Sequence, residues 1–329
     1  MGRLINGQWS TENSLNSDDH SGEFIREQTT FRNWIQDDPS AEFPAEPDRY
    51  HLYISRACPW AHRTAIMRRW KGLEEAISLS LVEPVRINAG WEFSETDPDP
   101  LYASRYLREV YQKADPDATC RVSVPILWDK QKETIVNNES REIMRMLDTQ
   151  FNDFAKQDAT FYPGDLREQV DRTIDEIYAP INNGVYRTGF AGTQRAYDKA
   201  VTELFDALDH WNAVLDDQRY LCGDVLTEAD ICMFTTMYRF DNVYHTHFKC
   251  NLKRITDYPN LWNYTRELYQ LPGVAETCNM DHVKRHYYMS HTWLNPTQIV
   301  PKGPIVYFDD SHDRDRLPVR QVAEFTAGA

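Results

Sequence analysis

The stretch Tyr50-His51-Leu52-Tyr53-Ile54-Ser55-Arg56-Ala57-Cys58-Pro59-Trp60-Ala61-His62-Arg63 decides the fold. Its first part alternates and is rich in strand formers. At Cys58-Pro59 the pattern changes to a helix that runs to about Lys71, with Gly72 as its C-cap. Proline suits the first helical position, so Cys58 stands where a strand hands over to a helix. A thiol there faces unpaired backbone N–H groups and the positive end of the helix dipole, and both favour thiolate. Arg56 and Arg63 add positive charge nearby. The competing reading is a buried structural cysteine. Three places on stands Ala61 rather than a second cysteine, so no C-x-x-C disulfide can form and another thiol must resolve any mixed disulfide. Cys120 would serve if the fold brought it near; an external small thiol is simpler, and it points to glutathione.

Working outward, Ala76–Val82 reads as a second buried strand, and residues 84–119 are less regular, broken by Pro84, Pro98 and Pro100. Tyr102–Ala114 reads as an amphipathic helix. Val122–Asp129 and Thr134–Asn137 are short strands close enough to pair as a hairpin, and a helix from Ser140 to about Phe151 carries apolar residues at 143, 147 and 151. Strand-helix-strand, insertion, strand-strand-helix is the order of an α/β thioredoxin-like domain, placed at 49–155. Residues 1–48, polar and interrupted by Pro39, Pro44 and Pro47, read as an irregular N-terminal extension.

From about residue 160 the strand signals stop. Leu166, Val170, Ile174, Ile177 and Ile181 form one helical stripe, and Tyr197, Val201, Leu204, Leu208, Trp211 and Leu215 form a longer one. Thr227-Glu228-Ala229-Asp230 is a capping box ahead of the apolar run Ile231–Tyr238. Further helices are expected over about 258–270 and 273–284. The span 160–290 is therefore read as an all-α helical bundle, and 291–329 as a Pro-bearing tail.

Two further features carry chemistry. Val124-Pro125 precedes a strand, and a cis proline at that place in a thioredoxin-like fold would offer the Val124 backbone to a bound peptide as an added strand would meet it; a trans proline on an edge strand is the alternative. Asn137-Asn138-Glu139-Ser140 marks a strand-to-helix junction, where Ser140 and the helix N-terminus suit a carboxylate and Glu139 suits an ammonium. Together they would hold the α-amino-acid end of a γ-glutamyl group, although capping alone would also explain Ser140. His245-x-His247 invites a metal reading but has no acidic or cysteine partner beside it, so no metal is expected.

The composition of the 329 residues sets the surroundings: 41% apolar and 26% charged are ordinary globular values. A net charge of −15 repels phosphate backbones, which argues against a nucleic-acid partner. No stretch approaches the length of a membrane span, and MGRLINGQWSTENS lacks the apolar region of a secretory leader. Six cysteines scattered along the chain suit a reducing compartment, so a cytoplasmic location is expected.

The combination CPWA at Cys58, VPILWD at Val124, NNES at Asn137, INNGVYRTGFA (Ile181–Ala191), HYYMSH (His286–His291) and NPTQIVP (Asn295–Pro301) resembles the Xi-class glutathione transferases, the glutathionyl-hydroquinone reductases. The likeness runs from about Phe31 to the proline-rich tail. It implies a glutathione transferase fold and a homodimer. It makes Cys58 the nucleophile, with Trp91, Arg121, Val124, Glu139 and Ser140 around glutathione. Tyr186 and Tyr287 would approach the quinol ring, with Tyr288 adjacent to the second.

The reaction so implied reduces quinone- and hydroquinone–glutathione conjugates, passing through a Cys58–glutathione mixed disulfide and releasing oxidised glutathione. Tyr186 and Tyr287 are then acid/base or hydrogen-bonding candidates, against the plainer reading of each as a core aromatic. Two other functions fit the same residues: an omega-like thiol transferase or dehydroascorbate reductase using Cys58, and a non-enzymatic carrier of apolar ligands whose binding is indifferent to Cys58.

Overall fold

A computed structural model of the chain describes residues 2–11 and 21–320. Parts of the expected extension and tail, 12–20 and 321–329, lie outside the described residues. Within them the chain forms two compact units. The first gathers 2–11, 27–158 and 277–298; the second gathers 21–26, 159–276 and 299–320.

The first unit is built on a four-stranded sheet of order β4-β3-β5-β6, with β3 (Tyr50–Ile54), β4 (Ile77–Leu81), β5 (Ile126–Asp129) and β6 (Thr134–Asn137). β3 runs parallel to β4 and antiparallel to β5, and β5 pairs antiparallel with β6. Between β3 and β4 runs α1 (Pro59–Trp70), which packs against α3 (Ser140–Thr149) following β6. This is the expected thioredoxin-like arrangement. All five residues of β3 are buried, as a central strand demands. α1 ends where Gly72 takes φ +63, a left-handed value that glycine adopts without a Cβ penalty. Lys71 and Asp148 pair at 3.5 Å, both buried.

Three boundaries move. The insertion helix, α2, spans Leu107–Ala114 and not Tyr102–Ala114. The Asp99 carboxylate takes the N–H groups of Leu101 and Ser104 at 3.1 and 3.2 Å, and Ala103 has φ +50, so this segment is a turn. β5 starts only after Pro125, which has no N–H for a ladder. The extension is not wholly irregular: β1 (Arg3–Ile5) and β2 (Gln8–Ser10) pair antiparallel across Asn6-Gly7, with φ +47 and +72, the left-handed pair of a two-residue hairpin turn.

The second unit is helical: α4 (Arg167–Ile177), α5 (Gly184–Gly189), α6 (Gln194–Asp217), α7 (Glu228–Arg239), the single turn α8 (His245–His247) and α9 (Pro259–Gln270). Thr227 and Asp230 form the capping box of α7. α4 runs into a π-helical turn, Tyr178–Asn182, ahead of α5.

The next helix, α10 (Met280–Ser290), groups with the sheet rather than with the bundle in which the sequence reading put it. Polar contacts explain why. Its His286 Nδ1 lies 2.7 Å from the Pro84 carbonyl, and its Ser290 hydroxyl accepts from the Arg86 N–H at 2.9 Å. Both partners belong to the loop after β4.

Candidate active site

Cys58 is the N-cap of α1, with Pro59 at the first helical position, and its side chain makes no capping bond. Its Sγ lies 3.5 Å from the Val124 carbonyl oxygen. The Val124–Pro125 peptide bond is cis. Val124 is buried, and its N–H donates to no group among the described residues. An extended ligand laid beside residues 123–124 would find that donor waiting, as a strand finds an open sheet edge.

Further along α1, Arg63 is buried with its guanidinium 4.4 Å from the Trp60 ring centroid, a cation–π contact. His62, one turn along α1 from Cys58, holds its Nε2 2.8 Å from the Thr277 hydroxyl and 3.8 Å from the Cys278 sulfur. Burial, and after it the Arg56 charge, push His282 below the ordinary histidine value. Cys120 is a poor internal resolver: it is buried, its backbone pairs with Leu4, and burial pushes its thiol up to about 11.

The NNES segment works as a joint. Asn138 accepts the Phe31 N–H at 3.2 Å and donates to the Tyr111 hydroxyl at 3.1 Å, while Asn137 donates to the Asn33 carbonyl at 3.0 Å. These bonds tie the extension to the start of α3. Glu139, not Ser140, is the N-cap of that helix, accepting from the Arg141 N–H at 3.3 Å. Capping therefore does not explain Ser140, which sits buried at the first helical position with its hydroxyl donating to Glu139 at 3.4 Å. Arg121 is half-buried, two residues before Ser123.

Trp91 lies on the loop after β4, buried and stacked on His286 at 5.0 Å with 12° between the planes. The Arg86 guanidinium lies 5.0 Å from the indole centroid. The Trp91 Nε1–H is buried and has no hydrogen-bond partner among the described residues, which marks it as a donor awaiting an acceptor. Beyond His286, the Tyr287 ring sits edge-on to His286 and His291 at 5.1 and 5.5 Å. Its neighbour Tyr288 is also buried, with its phenol pushed up to about 12 by burial. The first unit thus joins Cys58 to Val124 directly, Trp91 to Tyr287 through His286, and Glu139 to Ser140.

Tyr186 lies in the second unit, on α5. Its ring carries the Arg26 guanidinium 4.6 Å from the centroid and meets Phe248 at 5.4 Å and Phe190 at 5.8 Å. Asn183 accepts from Arg26 at 2.7 Å, and Asn182 donates to the Cys232 carbonyl and the Thr236 hydroxyl at 2.9 Å each. The two asparagines of the NNGVY motif therefore hold the turn that presents Tyr186. A Cβ on Gly189 would meet three Phe248 atoms within 2.6 Å, so only glycine allows that close approach. His247 is buried and stacks on Phe248, and no metal-binding cluster of His, Cys, Asp or Glu occurs among the described residues.

Sequence reasoning did not single out His62, His282 or His286, whose contacts are described above. A signal was present for the last, which opens the HYYMSH motif.

The family models described as "Glutathione S-transferase, N-terminal domain" and "Glutathione S-transferase, C-terminal domain" match residues 57–150 and 194–267. The chain is 47% identical to glutathionyl-hydroquinone reductase YqjG of Escherichia coli over 96% of this chain and 99% of the relative. A Xi-class transferase structure from Natrialba magadii superposes with a TM-score of 0.92 at 55% identity, covering 97% of this chain and 98% of the other. The glutathione-bound structure of Escherichia coli YqjG superposes with a TM-score of 0.87 at 45% identity, covering 95% and 99%. The chain belongs to the Xi class of glutathione transferases, the family of the glutathionyl-hydroquinone reductases.

Proposed function

We propose that this chain reduces glutathionyl-hydroquinones, with Cys58 as nucleophile and glutathione as reductant. The observation that carries this reading is the Cys58 thiol at the start of α1, 3.5 Å from the carbonyl of Val124, whose N–H donates to no group among the described residues. A thiolate there attacks the sulfur of the conjugate, forming the Cys58–glutathione disulfide. The carbon–sulfur bond breaks, its electrons pass to the ring carbon, and that carbon takes a proton, releasing the hydroquinone. A glutathione thiolate then attacks the mixed disulfide, forming oxidised glutathione and restoring the Cys58 thiolate. Ala61, in place of a second cysteine, leaves that last step to an external thiol.

In this reading Val124 pairs with the glutathione backbone and Trp91 Nε1–H supplies a donor. Glu139 and Ser140 take the γ-glutamyl end, with Arg121 supplying positive charge. Tyr186 and Tyr287 serve the quinol ring, where a proton must reach carbon; a phenol-to-keto shift would make that carbon a better leaving group. The chain works without a metal, in the cytoplasm and as a homodimer. The exposed Ile299, Ile305 and Tyr307 offer apolar surface to a second copy. No helix of the described residues is long and apolar enough to cross a membrane.

A single-turnover reaction tests the first step. Protein mixed with one equivalent of a glutathionyl-hydroquinone, without added glutathione, is expected to release hydroquinone and to carry glutathione on Cys58 by mass spectrometry. Hydroquinone release with Cys58 unmodified would refute the mechanism.

A further inference from the structure

The loop that carries Trp91 is gripped by the first strand pair. Trp9, half-buried in β2, donates its indole Nε1–H to the Asn88 carbonyl at 2.9 Å. Its ring reaches the loop at Gly90: a Cβ there would stand 2.9 Å from Trp9 Cη2 and 3.1 Å from Cζ2. Gly90 also has φ +88, so glycine meets two requirements at once, the backbone turn and the approach of the indole. Arg108, from α2, lies 5.3 Å from the Trp9 ring centroid and donates to the Ala89 carbonyl.

The grip has an anchor. β1 is fastened to the body of the unit by the paired bonds Leu4 N–H to Cys120 O and Cys120 N–H to Leu4 O, at 2.9 and 3.1 Å, and Gly7 N–H donates to Ala118 O at 2.9 Å. On the other side of the loop, Trp91 rests on His286 of α10 and its carbonyl accepts from the Leu107 N–H at 3.0 Å. The segment from Asn88 to Trp91 is thus held by the N-terminal hairpin, α2 and α10 together. An indole N–H is useful to a ligand only in one direction, and this loop is braced by isolated bridges, Ile87 with Gly90 and Glu92 with Tyr106, rather than by a strand of its own.

We propose that Trp9 is a positioning residue for glutathione capture, holding the Asn88–Trp91 segment so that the buried Trp91 Nε1–H stays aimed at the glutathionyl group. This rests on the reading of Trp91 as a glutathione contact. Trp9 touches no reacting atom, so its loss weakens binding of the glutathionyl moiety and leaves the exchange at Cys58 unaltered once the substrate is seated. The N-terminal hairpin then belongs to the glutathione site, although it lies outside the thioredoxin-like core.

The test is steady-state kinetics on a glutathionyl-hydroquinone at fixed excess glutathione, with Trp9→Ala, Trp9→Phe, Trp91→Phe and the Trp9→Ala/Trp91→Phe double variant. Trp9→Ala is expected to raise KM about tenfold, the scale of one lost hydrogen bond, with kcat within about twofold. Trp9→Phe keeps an aromatic ring in β2 but loses the bond to Asn88 and part of the reach to Gly90, so it falls between; it also carries the test if Trp9→Ala does not fold. The double variant is expected to be no worse than Trp91→Phe alone. Wild-type KM in both Trp9 variants, a fall in kcat instead, or effects that multiply in the double variant would overturn the proposal. An unchanged KM in Trp91→Phe, with Trp9→Ala impaired, would instead remove the reading of Trp91 on which it rests.

Discussion

The imidazole of His286 stacks on the indole of Trp91 at 5.0 Å and 12°, and its Nδ1 sits 2.7 Å from the carbonyl of Pro84. One side chain therefore fixes both the loop after β4 and the buried Trp91 on it, and the next residue along α10 is Tyr287.

His286→Ala removes the stack and the bond together. It is expected to lower kcat/KM for a glutathionyl-hydroquinone about tenfold, because small displacements of positioning groups carry large rate costs. His286→Phe keeps a ring on Trp91 without the Pro84 bond and should retain more activity than alanine. Equal, wild-type-like rates for the two would show that the stack has no part in the site.

Arg314 is the buried clasp of the tail on the helical unit. It donates to the carbonyls of Leu215, Gln218 and Arg219 at 2.6, 2.5 and 2.8 Å, closing the C-terminal end of α6. Its Nε stands 3.7 Å from the Glu267 carboxylate. Arg314→Ala is expected to destabilise the protein by about 3 kcal/mol, since it leaves buried carbonyls unsatisfied and takes a cation from a buried acid. Arg314→Lys should recover little, because an ammonium cannot span carbonyls that the guanidinium fork reaches together. Urea melts of the three proteins measure both.

Acid should weaken the fold through His51. It is 1% exposed, with Nδ1 2.7 Å from the Ser78 hydroxyl, and burial pushes its pKa down to about 4. Between its ordinary value of 6.5 and about 4, the unfolded chain binds the extra proton and the folded chain does not. Stability from this residue is therefore present above 6.5 and is lost as pH falls through that window, by up to about 3 kcal/mol. His51→Gln should flatten that part of the urea-midpoint profile. An unchanged profile would show that His51 is not the group responsible.

The parts of the fold that could be read from sequence are those where local chemistry and tertiary role agree. Cys58-Pro59 marks the start of α1 because a proline can open a helix but not continue a central strand. The apolar spacing from Val201 to Leu215 lies inside α6, and Thr227 with Asp230 caps α7 as their spacing requires. The hairpin at Asn6-Gly7 carried a turn signal as strong as any in the chain, yet the polar residues around it hid two three-residue strands. The grouping of α10 with the sheet could not be read, because amphipathic periodicity says that a helix has a buried face and not what buries it. The Trp91–His286 stack joins residues 195 positions apart (286 − 91), and no local pattern announces such a pair.

The most direct test of the central claim is steady-state release of hydroquinone from a glutathionyl-hydroquinone, such as that of menadione or benzoquinone, with excess glutathione, for wild type beside Cys58→Ala. The expected result is turnover by wild type, with oxidised glutathione formed in equal amount, and loss of at least about a thousandfold in the variant, the scale for removal of a catalytic nucleophile. Turnover preserved in Cys58→Ala, or none in wild type while dehydroascorbate is reduced, would contradict it, the second result placing the chain with the omega-like reductases.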